Sequence, residues 1–324
     1  MRTVDGPAHP GGPTGRDASP EPPPGAGWAR TAVAVVTDDA LGGRWTSLRT
    51  ADREWLWSRP GAGPARAAVR PDDAFVDAGG VEECFPTVRG TPDHGGAWSR
   101  PWTALPSGSG SGSGSGRAAR VEVPPFVLSR TIEADDDGLW VAYAVSGPSD
   151  VPFVHAVHAR VDVGPDAVLH ADASYAELLD VPVAGASTTV PWPGSGAADL
   201  SRLGPDDGTA TCAILPGASR VHLVDGADAL TLTWAADVPG SGALMLWRNL
   251  RGWPAGVPYR SIGVEPMLGR TADRDAPTGA VRGAPVRWAL RITAWRRSAG
   301  GAQGRRARSR SARSRPARSR PAPR

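Results

Sequence analysis

The residue with the clearest potential for chemistry is Glu265, which lies in the segment YRSIGVEPMLGRTADRD, residues 259–275. Its apolar neighbours form a short run that glycine and proline interrupt: Ile262, Gly263, Val264, Pro266, Met267 and Leu268. A carboxylate buried without a partner costs several kcal/mol, so such a group must be hydrogen-bonded, protonated or functional. Glu265 therefore either handles a proton in an active site or lies at a strand end and points into solvent.

Two further candidates for proton transfer are His155 and His158, in the β-rich stretch PFVHAVHARVDV, residues 152–163. Because they are three positions apart, on a strand they face opposite sides of the sheet. A given cleft can therefore hold one of them, which disfavours a zinc site that uses both. No other spacing has the character of a metal site, so we expect no metal.

A third histidine, His94, lies in the sequence TPDHGGAWSRPW, residues 91–102, between proline, glycine and tryptophan residues. Loop aromatics beside polar groups bind sugars, because the apolar face of the ring stacks on tryptophan while polar side chains take the hydroxyls. The alternative is a surface loop with Trp98 and Trp102 in the core. Neither a G-x-S-x-G nor a G-x-G-x-x-G signature is present in a context that would support it.

The elements that must position these residues are β-strands. Short apolar runs alternate with polar turns about every ten residues, and no long amphipathic helix is evident. An Asp-Asp-Asp-Gly turn joins two such runs near residue 136. We therefore predict an all-β fold, a sandwich of large sheets, in a core of about 270 residues.

Three segments of the 324-residue chain are predicted to lie outside this core. Residues 1–27 are rich in Pro and Gly, 107–116 form a Ser/Gly repeat, and 298–324 are rich in Arg, so each is expected to be disordered or flexible. Residues 28–297 then form the β-sandwich domain. From Arg296 onward there are eleven arginines and no acid, so the net charge of +3 leaves 3 − 11 = −8 for the rest.

The arginine tail could contact nucleic acid or an acidic surface through charge alone, but coding bias explains its composition equally well.

The two cysteines, Cys84 and Cys212, are expected to be buried thiols with no disulfide between them. No run approaches the ~20 apolar residues of a membrane span, and no hydrophobic leader is present near the start. The expected location is the cytoplasm.

Five stretches together carry a family resemblance: GGRWTSLRTADREWLW, GGVEECFPTV, PDHGGAWSRPW, PFVHAVHARVDVGPDAVL and GWPAGVPYRSIGVEPMLGRTAD. In this order and spacing, over residues 28–295, the sequence resembles the aldose 1-epimerase (galactose mutarotase-like) family. The likeness is to a divergent, uncharacterised branch, because the asparagine-rich and arginine motifs of the well-studied galactose enzymes are missing.

The resemblance implies a large antiparallel β-sandwich, the supersandwich, which holds a monosaccharide in a cleft on one concave sheet. It implies that Glu265 is the general base, His158 the general acid and His94 a sugar-binding residue. Glu83 and Trp98 align as further substrate contacts. The binding aspartate of the family has no match. The implied substrate is an aldose or aldose phosphate, and neither metal nor cofactor is required.

Interconversion of α and β anomers needs one base for the C1 hydroxyl and one acid for the ring oxygen. Burial among apolar residues should raise the pKa of Glu265, whereas His158 should need little tuning. Two alternatives remain open. One is a carbohydrate-binding sandwich without turnover. The other is a lyase or hydrolase that uses Glu265 and a second carboxylate such as Glu83, about 5 to 9.5 Å away.

Overall fold

Two large antiparallel sheets, packed face to face, make up the fold. The structure is a computed structural model that describes residues 21–106, 116–179, 187–194 and 199–298. Residues 1–20, 107–115 and 299–324, which contain most of the predicted disordered segments, lie outside the described residues. The first described strand begins at Trp28 and the last ends at Arg297.

The first sheet, called sheet I, consists of strands numbered in chain order: β1 Trp28–Thr31, β6 Thr103–Leu105, β7 Arg117–Val123, β8 Phe126–Asp135, β9 Gly138–Ser146, β11 Val168–Ala171, β15 Arg220–Asp225, β16 Asp228–Ala236 and β19 Val286–Arg297. Their order across the sheet is β11-β15-β16-β19-β9-β8-β7-β6, and β1 also pairs with β19. Every one of these ladders is antiparallel.

The second sheet, sheet II, consists of β2 Val33–Asp38, β3 Arg44–Thr50, β4 Arg53–Glu54, β5 Val81–Cys84, β10 His155–Val161, β12 Tyr175–Leu179, β13 Ser187–Pro191, β14 Ala210–Pro216, β17 Gly242–Leu250 and β18 Arg260–Leu268. The order is β13-β12-β14-β17-β18-β10-β5-β3-β2, with β4 paired to β3. A short helix, α1 Gly63–Ala67, lies between β4 and β5. The predicted all-β sandwich is confirmed.

Strand sequences show which faces are covered. On β7 the buried residues are Ala119, Val121 and Val123, and the alternate Arg120 and Glu122 are exposed, so one face of this strand meets the core. On β10 all seven residues are buried. A strand with both faces covered lies in the middle of its sheet, with a second layer of protein over its outer face.

The strand β18 divides its side chains between two apolar clusters. Ile262, Val264 and Leu268 belong to the large core between the sheets. Met267 belongs to a smaller cluster on the outer face of sheet II, together with Cys84, Cys212 and Met245. Because side chains alternate along a strand, Glu265 shares the outer face with Met267.

A buried ionic network lies between the two sheets and centres on Glu83. Its Oε1 accepts hydrogen bonds from Arg130 Nη1 at 2.7 Å and from Tyr143 Oη at 3.1 Å. Its Oε2 lies 3.0 Å from His155 Nε2, and Trp288 Nε1 donates to His155 Nδ1 at 3.1 Å. Since His155 Nδ1 accepts, its Nε2 carries the proton and donates to Glu83.

Loops cover the outer face of sheet II around β5 and β10. The buried Arg66 of α1 donates to both carboxylate oxygens of Glu82 on β5, at 2.8 and 3.0 Å, and to the Trp98 carbonyl at 2.8 Å. These contacts hold the helix and the loop that contains Trp98 against the sheet.

Among the described residues, no helix combines the length and apolar character that crossing a membrane requires.

Candidate functional site

His158 and Glu265 lie side by side on adjacent strands of sheet II. The ladder between β10 and β18 pairs Ala156 with Met267 and Arg160 with Gly263, which brings His158 directly opposite Glu265. His158 Nε2 lies 3.2 Å from Glu265 Oε1. Both side chains are almost fully buried, at 4% and 1% exposed. The strand register therefore creates an acid/base pair without help from any loop.

Arg160 completes this pair on the same face, two residues after His158. Its Nη1 donates to Glu265 Oε1 at 2.9 Å. The ion pair occupies the space above Gly263, where a Cβ atom would lie 2.3 Å from Glu265 Oε1 and 2.4 Å from Arg160 Nη1. A residue with a side chain at position 263 would therefore displace the ion pair.

Asp77 provides a second carboxylate beside Arg160. Arg160 Nε lies 3.7 Å from Asp77 Oδ1, and Tyr259 Oη donates to Asp77 Oδ2 at 2.9 Å. Burial alone would raise the pKa of Asp77, but the charge of Arg160 and the Tyr259 hydrogen bond hold that pKa below its usual value. Arg160 is thus shared between Asp77 and Glu265.

Two rings form a cover over His158. The rings of His94 and Phe75 are stacked with centroids 3.6 Å apart and planes 2° apart. The His94 centroid lies 5.0 Å from that of His158. Asp93 Oδ2 lies 2.9 Å from His94 Nδ1, and His94 has a positive φ of 60°. The Asp93 contact is made to Nδ1 and orients the imidazole. Nε2 is then the nitrogen that can contact another group.

The electrostatics of the pair favour one shared proton. Burial raises the pKa of Glu265 to about 7, although Arg160 and His94 oppose this increase. Burial, together with the positive charges of Arg160 and His94, lowers the pKa of His158 well below its usual value. The increase for Glu265 agrees with the sequence-based expectation. The expectation that His158 needs little tuning was wrong, because it considered neither its depth nor Arg160 beside it.

Two atoms of the pair offer unused hydrogen-bonding positions. Glu265 Oε2 and His158 Nδ1 are buried and have no hydrogen-bond partner among the described residues. Buried polar atoms are normally satisfied, and an unsatisfied one costs about 1 to 3 kcal/mol. The pair is therefore able to bind a further polar group or ion.

A cavity of about 570 Å³ lies on the same outer face, toward β14 and β12. Its lining combines apolar with charged side chains: Arg89, Glu177, Leu179, Ile214, Arg270, Ala272, Asp273 and Asp275. Ile214 pairs with Met245, and Met245 pairs with Glu265, so the cavity floor lies two strands from the acid/base pair. Mixed polar and apolar walls of this size are typical of small-molecule sites.

The structure brings three of the five predicted site residues together: His94, His158 and Glu265. Glu83 lies elsewhere. Its carboxylate is fully buried between the sheets, because Glu83 and Glu82 are consecutive on β5 and face opposite sides. Burial alone would raise the pKa of Glu83, but its hydrogen bond with His155 and the Arg130 charge hold it below its usual value.

Trp98 is also fully buried, at 0% exposed, and its Nε1 donates to the Gly95 carbonyl at 3.1 Å. Its ring meets the edge of Phe75 with centroids 4.9 Å apart. In this arrangement Trp98 supports the rings that cover His158 and presents no face of its own to a sugar. Glu83 and Trp98 are thus both buried and engaged with protein groups, and their roles as substrate contacts stay predictions.

The sequence reasoning also placed Glu265 among Ile262, Val264 and Met267. Met267 does share its face, whereas Ile262 and Val264 face the core between the sheets. It missed Arg160 and Asp77. The signal for Arg160 was present, since a residue two positions after His158 on a strand shares its face. Asp77 lies in an irregular segment before β5 and had no comparable signal.

Comparisons with solved structures identify the fold. A candidate aldose 1-epimerase from Escherichia coli K12 superimposes with a TM-score of 0.60 at 15% identity, covering 82% of this chain and 99% of that chain. A galactose mutarotase-like protein from Lactobacillus casei ATCC 334 gives 0.53 at 17% identity, covering 81% and 99%. The fold is that of the galactose mutarotase-like proteins.

The galactose 1-epimerase of Lactobacillus acidophilus NCFM shares this galactose mutarotase-like fold, with a TM-score of 0.51 at 14% identity over 82% of this chain and 90% of that chain. No family model matches the sequence. No curated protein matches it either. At these identities the likeness establishes the fold, and the assignment of an activity depends on the site.

Proposed function

We propose that the protein is an aldose 1-epimerase, which interconverts the α and β anomers of an aldose or aldose phosphate. The observation that carries this proposal is the in-register pair of His158 and Glu265, 3.2 Å apart and buried on the outer face of sheet II. Anomer exchange needs one group that removes the proton from the C1 hydroxyl and one that gives a proton to the ring oxygen. Both of these oxygens are bonded to C1. The galactose mutarotase-like fold and the neighbouring cavity support the same assignment.

In the proposed reaction, ionised Glu265 removes the proton from the C1 hydroxyl while protonated His158 gives a proton to the ring oxygen. The electrons of the O–H bond form the C1 carbonyl of the open-chain aldehyde, and the C1–O5 bond breaks with its electrons on O5, which takes the proton from His158. Rotation about C1–C2 presents the other face of the carbonyl, and the two transfers reverse to close the ring. Each positioned transfer contributes typically 10² to 10⁴-fold.

The pair enters this cycle with a single proton. A pKa of about 7 for Glu265 and a lowered pKa for His158 put that proton on the carboxyl in the free protein. A sugar that separates the two groups lets the proton pass to His158, which is the arrangement that ring opening uses. Arg160 stabilises the carboxylate as it forms, since its Nη1 already donates to Glu265 Oε1.

A second candidate function is a carbohydrate-binding protein without turnover. The observation in its favour is that the stacked rings of Phe75 and His94 lie over His158, with little of either member of the pair exposed. If the site stays closed, the cavity near Arg270 is a place where a ligand could bind. The lyase or hydrolase alternative, which needs Glu265 and a second carboxylate, stays a prediction, and the burial of Glu83 between the sheets does not favour Glu83 as that carboxylate.

Polarimetry of freshly dissolved α-glucose and α-galactose tests the proposal. The wild-type chain should speed the change in optical rotation, and Glu265→Gln should slow it by about 10² to 10⁴-fold. Glu122→Gln makes the same chemical change at an exposed position on β7 and serves as the control. A wild-type chain that is inert on a panel of free and phosphorylated aldoses, yet binds them by NMR saturation transfer, would support the binding protein instead.

A further inference from the structure

Three metal-binding side chains converge beside the acid/base pair. A ligand atom from each of Cys84, His94 and His158 lies within 4.8 Å of the other two. Cys84 is the last residue of β5 and faces the outer side of sheet II, diagonal to His158 across the β5–β10 ladder. His94 reaches them from the loop between β5 and β6. Because the three come from separate segments, their spacing in the sequence carried no metal signature.

In each histidine of this group, one ring nitrogen lies close to a carboxylate oxygen. Asp93 Oδ2 lies 2.9 Å from His94 Nδ1, and Glu265 Oε1 lies 3.2 Å from His158 Nε2. Histidines that bind metals almost always give their other ring N–H to a carboxylate or carbonyl, which fixes the tautomer and the ring orientation. The arrangement leaves Nε2 of His94 and Nδ1 of His158 to face a metal.

Buried atoms without partners give an independent sign that a ligand belongs here. Among the described residues, His158 Nδ1 and Glu265 Oε2 have no hydrogen-bond partner, although both are inaccessible to solvent. Cys84 is fully buried and carries a free thiol. A tetrahedral ion with sulfur and imidazole ligands would satisfy His158 Nδ1 and Cys84 together.

We propose that Cys84, His94 and His158 bind a zinc-type divalent cation, with water or Glu265 in the fourth position. Two imidazoles and one thiolate form a donor set that suits zinc, at bond lengths of about 2.0 to 2.3 Å. The ligand atoms must move closer together than they are, and His94 has room to do so because its side chain is 18% exposed on a loop. On binding, the Cys84 thiol loses its proton to solvent, and the sulfur takes the metal in its place.

A bound metal ion would prevent His158 and Glu265 from transferring protons to and from the sugar. A cation on His158 Nδ1 prevents that imidazole from taking up the proton that it must give to the ring oxygen. Zinc is therefore expected to act as an inhibitor, and this consequence rests on the proposed function. The binding site itself does not depend on it.

Cobalt(II) provides the direct test, using the full chain without a polyhistidine tag and with a non-thiol reductant. The wild type should bind one Co²⁺ and show both a thiolate charge-transfer band in the near ultraviolet and the intense visible bands of a tetrahedral site. Cys84→Ser should remove the charge-transfer band. Cys212→Ser changes the second buried cysteine of the same apolar cluster and should leave the spectrum unchanged.

A second pair of variants keeps the test decisive if Cys84→Ser does not fold. His94→Asn, on the loop, should weaken Zn²⁺ binding by at least about tenfold in competition with a chromophoric chelator. His170→Asn, on β11 of sheet I, should not change it. A wild-type spectrum without the thiolate band, or zinc affinity that is unchanged by His94→Asn, overturns the site.

Activity measurements separate the two proposals. With EDTA present, the wild type should catalyse mutarotation, and stoichiometric Zn²⁺ should abolish at least about nine-tenths of that rate, reversibly on adding chelator. Zinc that binds and leaves the rate unchanged or higher overturns the inhibitory role. No mutarotation in EDTA, together with an intact cobalt spectrum, rejects the proposed function and supports the metal site.

Discussion

Nε2 of His158 lies 3.2 Å from Oε1 of Glu265, and the two residues are cross-strand neighbours on β10 and β18. Their separation is set by backbone hydrogen bonds between two central strands of a sheet. Such a pair is held more rigidly than one assembled from loops, and rigid placement of acid and base is what positioned proton transfer requires. Each of the following predictions depends on this pair or on its supports.

The pH dependence of catalysis should report the single proton that the pair shares. Loss of that proton follows the pKa of Glu265, about 7, so kcat/KM for mutarotation should fall as the pH rises above about 7. Below this range the rate should hold until His158 binds a second proton, well below its usual pKa. Stopped-flow polarimetry between pH 5 and 9 measures the profile. A rate that instead rises through about 7 to a plateau contradicts transfer from a protonated His158.

Stability should also depend on the titration of Glu265. Its pKa is about 7 in the folded chain against a usual 4.5, so the folded state holds this proton more tightly than the unfolded state. The contribution to stability is present below about pH 4.5 and is lost as the pH rises through about 7. Glu265→Gln cannot titrate. Its free energy of unfolding, relative to wild type, should therefore increase from pH 4.5 to 7.5 by up to about 3 kcal/mol.

Urea unfolding at several pH values measures this difference. Glu122→Gln, at a position whose side chain is 71% exposed, should leave the difference between variant and wild type constant over the same range. A difference for Glu265→Gln that is also independent of pH would mean that Glu265 titrates in the folded chain as it does in the unfolded one.

Gly263 should be needed for the ion pair between Arg160 and Glu265. In Gly263→Ala the new methyl group would lie within 2.4 Å of both charged atoms, so the pair must separate. We expect a loss of stability of about 1 to 3 kcal/mol and at least a tenfold decrease in kcat. The control is Gly242→Ala on the neighbouring β17, where the closest atom lies at 3.1 Å. Equal kcat values for the two variants would exclude this role.

Glu83 should contribute to stability and make no contact with the sugar. Glu83→Gln removes the negative charge that lies 2.7 Å from the buried Arg130 guanidinium, and the loss of this counter-charge should cost about 3 to 5 kcal/mol in the free energy of unfolding. In the folded fraction, KM should stay within about twofold of wild type, because the carboxylate faces away from His158. Thermal unfolding and initial rates below the melting transition test both parts. A large rise in KM with unchanged stability would restore Glu83 as a substrate contact.

Much of the fold could be read from the sequence because its signals are local. Apolar alternation, as on β7, and turns such as the one between β8 and β9 predict strands wherever they occur. The apolar run around Glu265 left two positions open for this carboxylate, in a buried site or at a strand end facing solvent, and the structure buries it. What could not be read is which distant segments meet.

Glu83 illustrates this limit. Its partners Arg130, Tyr143 and His155 come from β8, β9 and β10, and the pairing of β5 with β10 decides which of two consecutive glutamates enters the core. Nothing around Glu82 and Glu83 in the sequence distinguishes them. The stacking of Phe75 and His94 over His158 could not be predicted either. Phe75 lies in an irregular segment, and its contact with the loop that carries His94 is not visible in the sequence.

The ladder between β10 and β18 also protects the site against error during folding. A shift of one residue on β10 would turn His158 and Arg160 toward the core between the sheets, and Val157, Ala159 and Val161 toward Glu265. The displaced charged groups would lie among the apolar side chains of that core without the partners they have on the outer face, which disfavours the slipped arrangement. Correct packing of Val157 and Val161 in the core therefore also fixes the strand register that places His158 opposite Glu265.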